Sequence, residues 1–124
     1  MLVIGNGRVA SRRIEILKSF GAEVVVISPE LNRKYQKGDI AEINPFFVIA
    51  ATNDRQVNHK AMLEASGLNI PVSVADCREE CTCYFPAIAE NENFIAGIVS
   101  KNGDHIGVKS IAQKIRELIK NKNE

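Results

Sequence analysis

The sequence predicts an α/β protein built on a Rossmann-like, doubly wound parallel sheet, and three observations support this prediction. The apolar residues 2–4 run directly into the glycine pattern Gly5-x-Gly7-x-x-Ala10, and apolar residues at helical spacing follow. β-branched runs recur farther along the chain, separated by further helical patterns. Because strands and helices alternate in this way, the strands are expected to lie parallel and to be joined by right-handed crossovers.

The predicted elements can be placed one by one. The first helix covers residues 8–20 and is closed by Gly21, a residue type favoured just after a helix. Residues 31–45 hold few apolar side chains, so either the sheet lacks a strand here or the segment runs extended over the surface. Two additional strands and a closing amphipathic helix follow the fourth strand. The strands are predicted at residues 2–4, 23–27, 46–51, 70–74, 84–88 and 94–99, and the later helices end near Gly67 and Lys120.

Size and charge limit the classes of function. The 124 residues suit one domain, in which residues 1–76 form a nucleotide-binding core and residues 77–124 add strands and the closing helix. Lys and Arg number 16 against 15 Asp and Glu, so no strong field attracts nucleic acid or an acidic membrane. No apolar run approaches the roughly 20 residues of a membrane span, and the chain opens into a strand without a basic leader. We therefore expect a cytoplasmic protein without nucleic-acid or membrane partners, with a polar tail at residues 121–124 that frays.

Three cysteines, Cys77, Cys81 and Cys83, lie close together in the sequence. Their odd number and short separation argue against a disulfide framework. Their spacing also matches no common zinc-site pattern. Reduced thiols and no bound metal are expected.

Four segments follow predicted strands and are expected to meet at one crevice. They are residues 5–10, 28–30, 51–54 and 75–77. In doubly wound sheets ligands bind beyond the carboxyl ends of the strands, so candidate functional residues are sought here.

The glycine pattern after the first strand suits the pyrophosphate of a dinucleotide. Gly5 permits the tight turn, Gly7 lets phosphates approach the main chain, and Ala10 allows the helix to pack closely on the strand. The alternative is a glycine turn that binds nothing. The strand, turn and helix around the pattern favour the dinucleotide.

The ends of the second and third strands offer further candidates. A nicotinamide site often carries an acidic residue at the end of the second strand, where this chain has Ser28. Glu30 follows and is either a ribose partner or a solvated turn carboxylate. Ala51 and Thr52 end the third strand with small side chains, which leave room for a cofactor and also allow close packing.

Asp76 is the candidate for chemistry, because it follows the fourth strand at the carboxyl edge of the sheet. A carboxylate there can take a proton from a substrate, orient its N–H groups, or act electrostatically. The alternative is an aspartate that caps a turn.

Five stretches of the chain together carry a family resemblance. They read VIGNGRVASRR, GAEVVVISPEL, FFVIAATNDRQVN, IPVSVADCREECTCYFPAI and FIAGIVSKNG. The chain resembles the precorrin-2 dehydrogenase family, the N-terminal module of siroheme synthase. The specific combination is a Rossmann turn, AATND with a downstream VN, a strand-end Asp, and then CT-x-x-P-A-I.

The resemblance implies NAD-dependent oxidation of precorrin-2 to sirohydrochlorin in siroheme biosynthesis, and some members also insert iron. It implies a homodimer, and it implies that Asp76 is the catalytic aspartate. With the residues that match the cofactor segments of the family, the predicted cofactor-binding set is Gly5, Asn6, Gly7, Arg8, Val9, Ala10, Ser28, Pro29, Glu30, Ala51 and Thr52.

Two other functions remain open from the residues. One is a regulatory module that binds NAD without catalysis, and the other is a chelatase whose nucleotide site is vestigial. The sequence also leaves open iron insertion, the choice between NAD and NADP, and the role of the three cysteines.

Overall fold

The computed structural model describes residues 1–120 and divides the chain into two compact units. The first unit is Met1–Cys83, and the second begins at Tyr84. No helix in the described part of the chain is long and apolar enough to cross a membrane. The predicted polar tail at residues 121–124 lies outside the described residues.

Strands and helices alternate through the first unit, as the sequence predicts. The strands are shorter than predicted, because the ladder extends over only the three residues of the central strand before the chain turns at Gly5. In chain order the elements are β1 (Leu2–Ile4), α1 (Arg8–Ser19), β2 (Val25–Ile27), α2 (Asp39–Ile43), β3 (Val48–Ala50), α3 (Arg55–Gly67), β4 (Val72–Val74) and a 3-10 turn at Arg78–Glu80.

The four strands form one parallel sheet in the order β2-β1-β3-β4. Ile4 of β1 pairs with Ile27 of β2 on one side and with Ala50 of β3 on the other. The chain first moves from β1 to one side and then crosses to the other, so the topological switch point lies beyond β1 and β3. Right-handed crossovers place α1 and α3 on opposite faces of the sheet. The doubly wound α/β fold is confirmed.

The segment at residues 31–45 contains no strand and is not an extended surface stretch. It folds into turns and the short helix α2, whose Ile40 is fully buried in the same apolar cluster as the sheet residues. The Tyr35 hydroxyl donates to Glu64 of α3, and the second carboxylate oxygen of Glu64 accepts two backbone N–H groups of the segment at 3.0 and 3.1 Å. Burial and the bond to Glu64 raise the pKa of Tyr35. The buried side chain of Ile40 and the carboxylate of Glu64 on α3 therefore fix the crossover.

The first unit extends through the segment after β4 to Cys83. The backbone N–H groups of Thr82 and Cys83 both donate to Val72 O, at 2.9 and 3.2 Å. The N–H of Val72 donates in turn to Thr82 Oγ1 at 2.9 Å. Because the segment after β4 folds back along that strand, it belongs to the first unit.

The second unit is an antiparallel strand pair and a helix. The first strand begins later than predicted, since Pro86 has no N–H to donate to the ladder and pairing starts at Ala87. The closing helix, predicted over residues 107–120, begins at His105, because Asp104 Oδ1 accepts the N–H of Gly107 at 2.8 Å and caps the first turn. The elements are β5 (Ala87–Glu90), β6 (Ile95–Ile98) and α4 (His105–Lys120).

Ile40→Ala tests whether the crossover belongs to the core. We expect the substitution to reduce the free energy of unfolding by about 2–5 kcal/mol, because it leaves a cavity at a fully buried site. Leu31→Ala in the same segment is the control, since Leu31 is 60% exposed. Urea unfolding followed by circular dichroism measures both, and equal stability of the two variants would contradict the packing described.

Candidate functional site

A cavity of about 680 Å³ lies at the carboxyl ends of the four parallel strands. Its volume falls in the range of small-molecule and cofactor sites. All four segments that the sequence singles out contribute to its wall. The predicted site residues on the wall are Gly5, Asn6, Gly7, Arg8, Val9, Pro29, Glu30, Ala51, Thr52 and Asp76.

Two predicted cofactor-binding residues do not lie on this wall. Ala10 is fully buried at the start of α1, where its small side chain lets the helix pack on β1. Ser28 is 1% exposed and supports the turn that follows β2. Both side chains are buried and do not reach the cavity surface.

The turn after β1 requires glycine at position 5. Gly5 has a φ of +125°, a conformation that side chains rarely permit. A Cβ atom on Gly5 would also lie 2.3 Å from Ala51 O, on the neighbouring strand end. The backbone bonds Gly5 N to Ile27 O and Ala51 N to Ile4 O, both at 2.9 Å, hold the three strand ends together. The tips of β1 and β3 can approach this closely only without a side chain between them.

Gly7 is the N-cap of α1 and borders open space. Its φ of −79° is ordinary, and an added Cβ would meet no atom within 4 Å. No side chain in the described chain caps this helix, and its first turn contains no acidic residue. The first N–H groups of α1 therefore face the cavity end without a competing carboxylate, which suits a bound phosphate.

The turn after β2 presents Glu30 at the cavity. The Ser28 hydroxyl donates to the Glu30 carboxylate, and Glu30 N donates to Ser28 Oγ at 3.3 Å. The hydrogen bond from the Ser28 hydroxyl, together with one from the backbone of Glu30 to its own carboxylate, lowers the pKa of Glu30, so the carboxylate is ionised at neutral pH. Asn32 fixes the turn from behind, since its Oδ1 accepts Ser28 N at 3.0 Å and its Nδ2 donates to Val26 O at 2.7 Å.

Asn58 belongs to the downstream VN of the family resemblance and is a supporting residue that was not among the predicted site residues. It is fully buried on α3, and its Oδ1 accepts both the backbone N–H of Thr52 at 3.0 Å and the Thr52 hydroxyl at 2.6 Å. Its Nδ2 donates to Thr52 O at 3.1 Å. Asn58 therefore locks the loop after β3. The sequence signal for this role of Asn58 was a polar residue on the apolar face of the helix predicted to end near Gly67.

Asp76 lies on the cavity wall and is ion-paired. Its Oδ1 accepts Arg55 Nη1 at 2.7 Å. Arg55 also binds Glu80, and His59 Nδ1 binds the other oxygen of Glu80. Asp76 therefore ends a network of four charged or titratable side chains and does not stand alone as a turn cap.

Glu80 is the most buried carboxylate of this network, with 18% of its side chain exposed. Burial alone would raise the pKa of Glu80. The hydrogen bond to His59 and the charge of Arg55 outweigh that effect and lower it. Glu80 is consequently an anion that can hold Arg55.

The cysteines lie beside β4. Cys81 Sγ accepts Val74 N at 3.1 Å, and Cys77 Sγ contacts Glu79 at 3.5 Å. No disulfide joins any of the three cysteines within residues 1–120. Within residues 1–120, no three His, Cys, Asp or Glu side chains are grouped so as to hold a metal ion.

The residues that form this cavity lie in a part of the chain that matches a known protein family. A family model described as "Putative NAD(P)-binding" matches residues 1–87. The chain belongs to this NAD(P)-binding family. The matched residues include every strand end that forms the cavity.

This chain is similar to proteins that are described as a siroheme biosynthesis protein and a siroheme synthase. It is 44% identical to a "Probable multifunctional siroheme biosynthesis protein HemA" of Ruminiclostridium josui, with 95% of this chain and 26% of that protein aligned. It is 33% identical to a "Siroheme synthase" of Methylobacillus flagellatus, over 95% of this chain and 28% of the relative. The chain thus spans about a quarter of the length of these curated relatives.

A solved structure is similar over most of the chain. The structure of "SirC, precorrin-2 dehydrogenase" matches with a TM-score of 0.70 and 25% identity, and the match covers 94% of this chain and 64% of SirC. The resemblance to the precorrin-2 dehydrogenase and siroheme synthase family is confirmed. The prediction of NAD as cofactor is confirmed with it.

The residues present fit such a cofactor. Gly5 permits the tight turn against Ala51 O that a Cβ would block, the N-terminus of α1 has no capping side chain, and Glu30 offers an ionised carboxylate in the turn after β2. In a dinucleotide site the glycine forms the turn, the helix N-terminus binds the pyrophosphate, and the carboxylate binds a ribose.

Gly5→Ala and Gly7→Ala form a matched pair that separates folding from binding. Gly5→Ala should lower the free energy of unfolding by more than about 1 kcal/mol, because φ is positive and the Cβ meets Ala51 O. Gly7→Ala should cost less than that and yet weaken NAD binding at least tenfold, about 1.4 kcal/mol, because the methyl group intrudes where the phosphates lie. Urea unfolding and calorimetric NAD titration measure the two effects. A Gly7→Ala protein with unchanged NAD affinity would show that the pyrophosphate does not pass over this turn.

Proposed function

We propose that this chain catalyses the NAD-dependent oxidation of precorrin-2 to sirohydrochlorin in siroheme biosynthesis. The observation that carries the proposal is the position of Asp76, which shares one cavity with the glycine turn at Gly5 and Gly7. The names of the similar proteins supply the substrate class, since they are described as siroheme synthases and as a precorrin-2 dehydrogenase.

The reaction removes two electrons and two hydrogens from the macrocycle. One hydrogen leaves with both electrons as a hydride, and the other leaves as a proton. NAD, when bound, supplies the hydride acceptor. The protein must therefore hold the macrocycle and the dinucleotide face to face and provide a place for the proton.

Binding and orientation of the dinucleotide are assigned to the strand ends. Gly5 and Gly7 bring the main chain and the start of α1 against the pyrophosphate. Glu30 accepts hydrogen bonds from a ribose. Ala51 and Thr52, held by Asn58, form a low wall on the β3 side that leaves space for the nicotinamide.

Asp76 is assigned to the macrocycle. Only its Oδ1 has a hydrogen-bond partner among residues 1–120, so Oδ2 is available to a ligand. Oδ2 either accepts the proton that the macrocycle loses or accepts a hydrogen bond from a pyrrole N–H and so orients the macrocycle. Both roles need an ionised carboxylate at the edge of the nicotinamide position.

Iron insertion into sirohydrochlorin is a second candidate activity, with the metal ion as substrate. Insertion displaces protons from macrocycle nitrogens, and the available Oδ2 of Asp76 suits an acceptor for them as well. The same residue would then serve both reactions.

The homodimer remains a prediction with some support in the second unit. Phe94, Ile95, Ile106 and Leu118 are all more than half exposed there. Apolar side chains grouped on one small unit favour association with a second copy. A cytoplasmic location likewise remains a prediction.

An anaerobic assay with Asp76→Asn tests the function. The wild-type chain should reduce NAD and produce the sirohydrochlorin spectrum from precorrin-2. Asp76→Asn should lower kcat about 10²- to 10⁴-fold and leave NAD affinity nearly unchanged, because the residue faces the macrocycle. Glu79→Gln is the control, since it removes an exposed carboxylate on the neighbouring turn. A folded wild-type chain that binds NAD without oxidising precorrin-2 would contradict the proposal and favour a regulatory module. Iron insertion without NAD reduction would favour a chelatase.

Glu30→Gln tests the choice between NAD and NADP. The ionised carboxylate should accept the ribose hydroxyls of NAD and repel the 2′-phosphate of NADP, so we propose a preference for NAD. The variant should bind NAD more weakly and should bind NADP more tightly than the wild type does, aided by Lys34 on the same wall. Glu15→Gln, on the exposed side of α1, is the matched control. Parallel titrations with both dinucleotides measure the ratio, and an unchanged ratio would remove Glu30 from the ribose site.

A further inference from the structure

Arg55 links two segments of the chain through one planar group. Its Nη1 donates to Asp76 Oδ1 at 2.7 Å, and its Nη2 donates to Glu80. Asp76 follows β4 directly, whereas Glu80 ends the 3-10 turn beyond it. The guanidinium therefore clamps both ends of the loop that carries Asp76.

The start of α3 gives this clamp a fixed origin. Asp54 is the N-cap, and its carboxylate accepts the backbone N–H of Gln56 at 2.9 Å and that of Val57 at 3.4 Å. Arg55 is the first helical residue after this cap. Its backbone is thus defined by the helix, although 44% of its side chain is exposed.

Glu80 and His59 hold the far side of the guanidinium. Glu80 is only 18% exposed and carries a second bond to His59 Nδ1. A half-exposed arginine bound to a single carboxylate would be free to turn into solvent, since such exposed pairs are weak. The second, more buried anion fixes the plane of the guanidinium and so the direction of its bond to Asp76.

We propose that Arg55 is a positioning residue for Asp76, with Glu80 as its anchor. This inference rests on the proposed function. Arg55 occupies Oδ1 alone, which fixes the carboxylate in one orientation and leaves Oδ2 to the macrocycle. The planar fork of arginine is needed, because a lysine ammonium cannot present two parallel N–H groups to two carboxylates.

The first readout does not depend on turnover. In a ¹³C-carboxyl NMR titration, Arg55→Gln should raise the pKa of Glu80 toward its ordinary value, since one of the groups that lowers it is gone. Lys60→Gln is the matched control, because Lys60 is an exposed cation on the same helix. It should leave the pKa of Glu80 unchanged.

The second readout separates kcat from KM. Arg55→Gln should lower kcat about ten- to hundredfold, the size expected for a catalytic group displaced by about 1 Å. The KM values for NAD and for precorrin-2 should stay within about twofold, because the residue itself binds neither. Glu80→Gln should give a smaller decrease of kcat, and Arg55→Lys should recover only part of the loss, since the charge returns without the fork. Lys60→Gln should match the wild type in kcat and KM.

Each contrary result has a definite meaning. An Arg55→Gln protein with wild-type kcat, or an unchanged pKa of Glu80, overturns the positioning role while the proposed function stands. A raised KM for precorrin-2 with unchanged kcat overturns it too, and shows that Arg55 binds a substrate carboxylate directly. A wild-type chain without turnover contradicts the proposed function and the positioning role together. Circular dichroism and urea midpoints of all variants ensure that only folded proteins are compared.

Discussion

The close approach of the β1 and β3 tips is the constraint on which the cavity depends. At a topological switch point the chain leaves two neighbouring strands in opposite directions, and a crevice opens between the departing segments. Here Gly5 lies so near Ala51 O that no side chain fits between them. The crevice therefore has a bare backbone floor, with the start of α1 on one side and the Thr52 loop on the other. A larger residue at position 5 would separate the strands and remove that floor.

Each wall of the cavity is fixed by a polar side chain that does not itself line it. Ser28 orients Glu30 from behind the β2 turn, and Asn58 holds the Thr52 loop from within α3. Both supporting residues are buried and hydrogen-bonded, so their rotamers are constrained. This arrangement lets the surface residues face a ligand without being free to move. Preorganisation of that kind is what a hydride transfer between two bound partners requires.

The sequence predicts the alternation of strands and helices and the glycine turn, because both follow from local patterns. Apolar triplets, β-branched runs and Gly5-x-Gly7-x-x-Ala10 are visible without any knowledge of distant contacts. The helix α2 could not be predicted, since its formation depends on Ile40 reaching the core and on Glu64, far along the chain, accepting its N–H groups. The same limit applies to Arg55. Its spacing from Asp76 in sequence gives no sign of their ion pair, which arises only when β4 is placed beside β3 and α3.

Helix α3 joins the two halves of the proposed chemistry. Asn58 and His59 lie three and four residues after Arg55, so each of them is a neighbour of Arg55 on the helix surface. Asn58 faces inward to the Thr52 loop on the cofactor side, whereas Arg55 and His59 reach the carboxylates after β4. Because a single helical turn carries both sets of bonds, the distance between the dinucleotide wall and Asp76 is set by helix geometry and not by loop flexibility. A shift of α3 would act on the Thr52 loop and on Asp76 together, since both are bound to it.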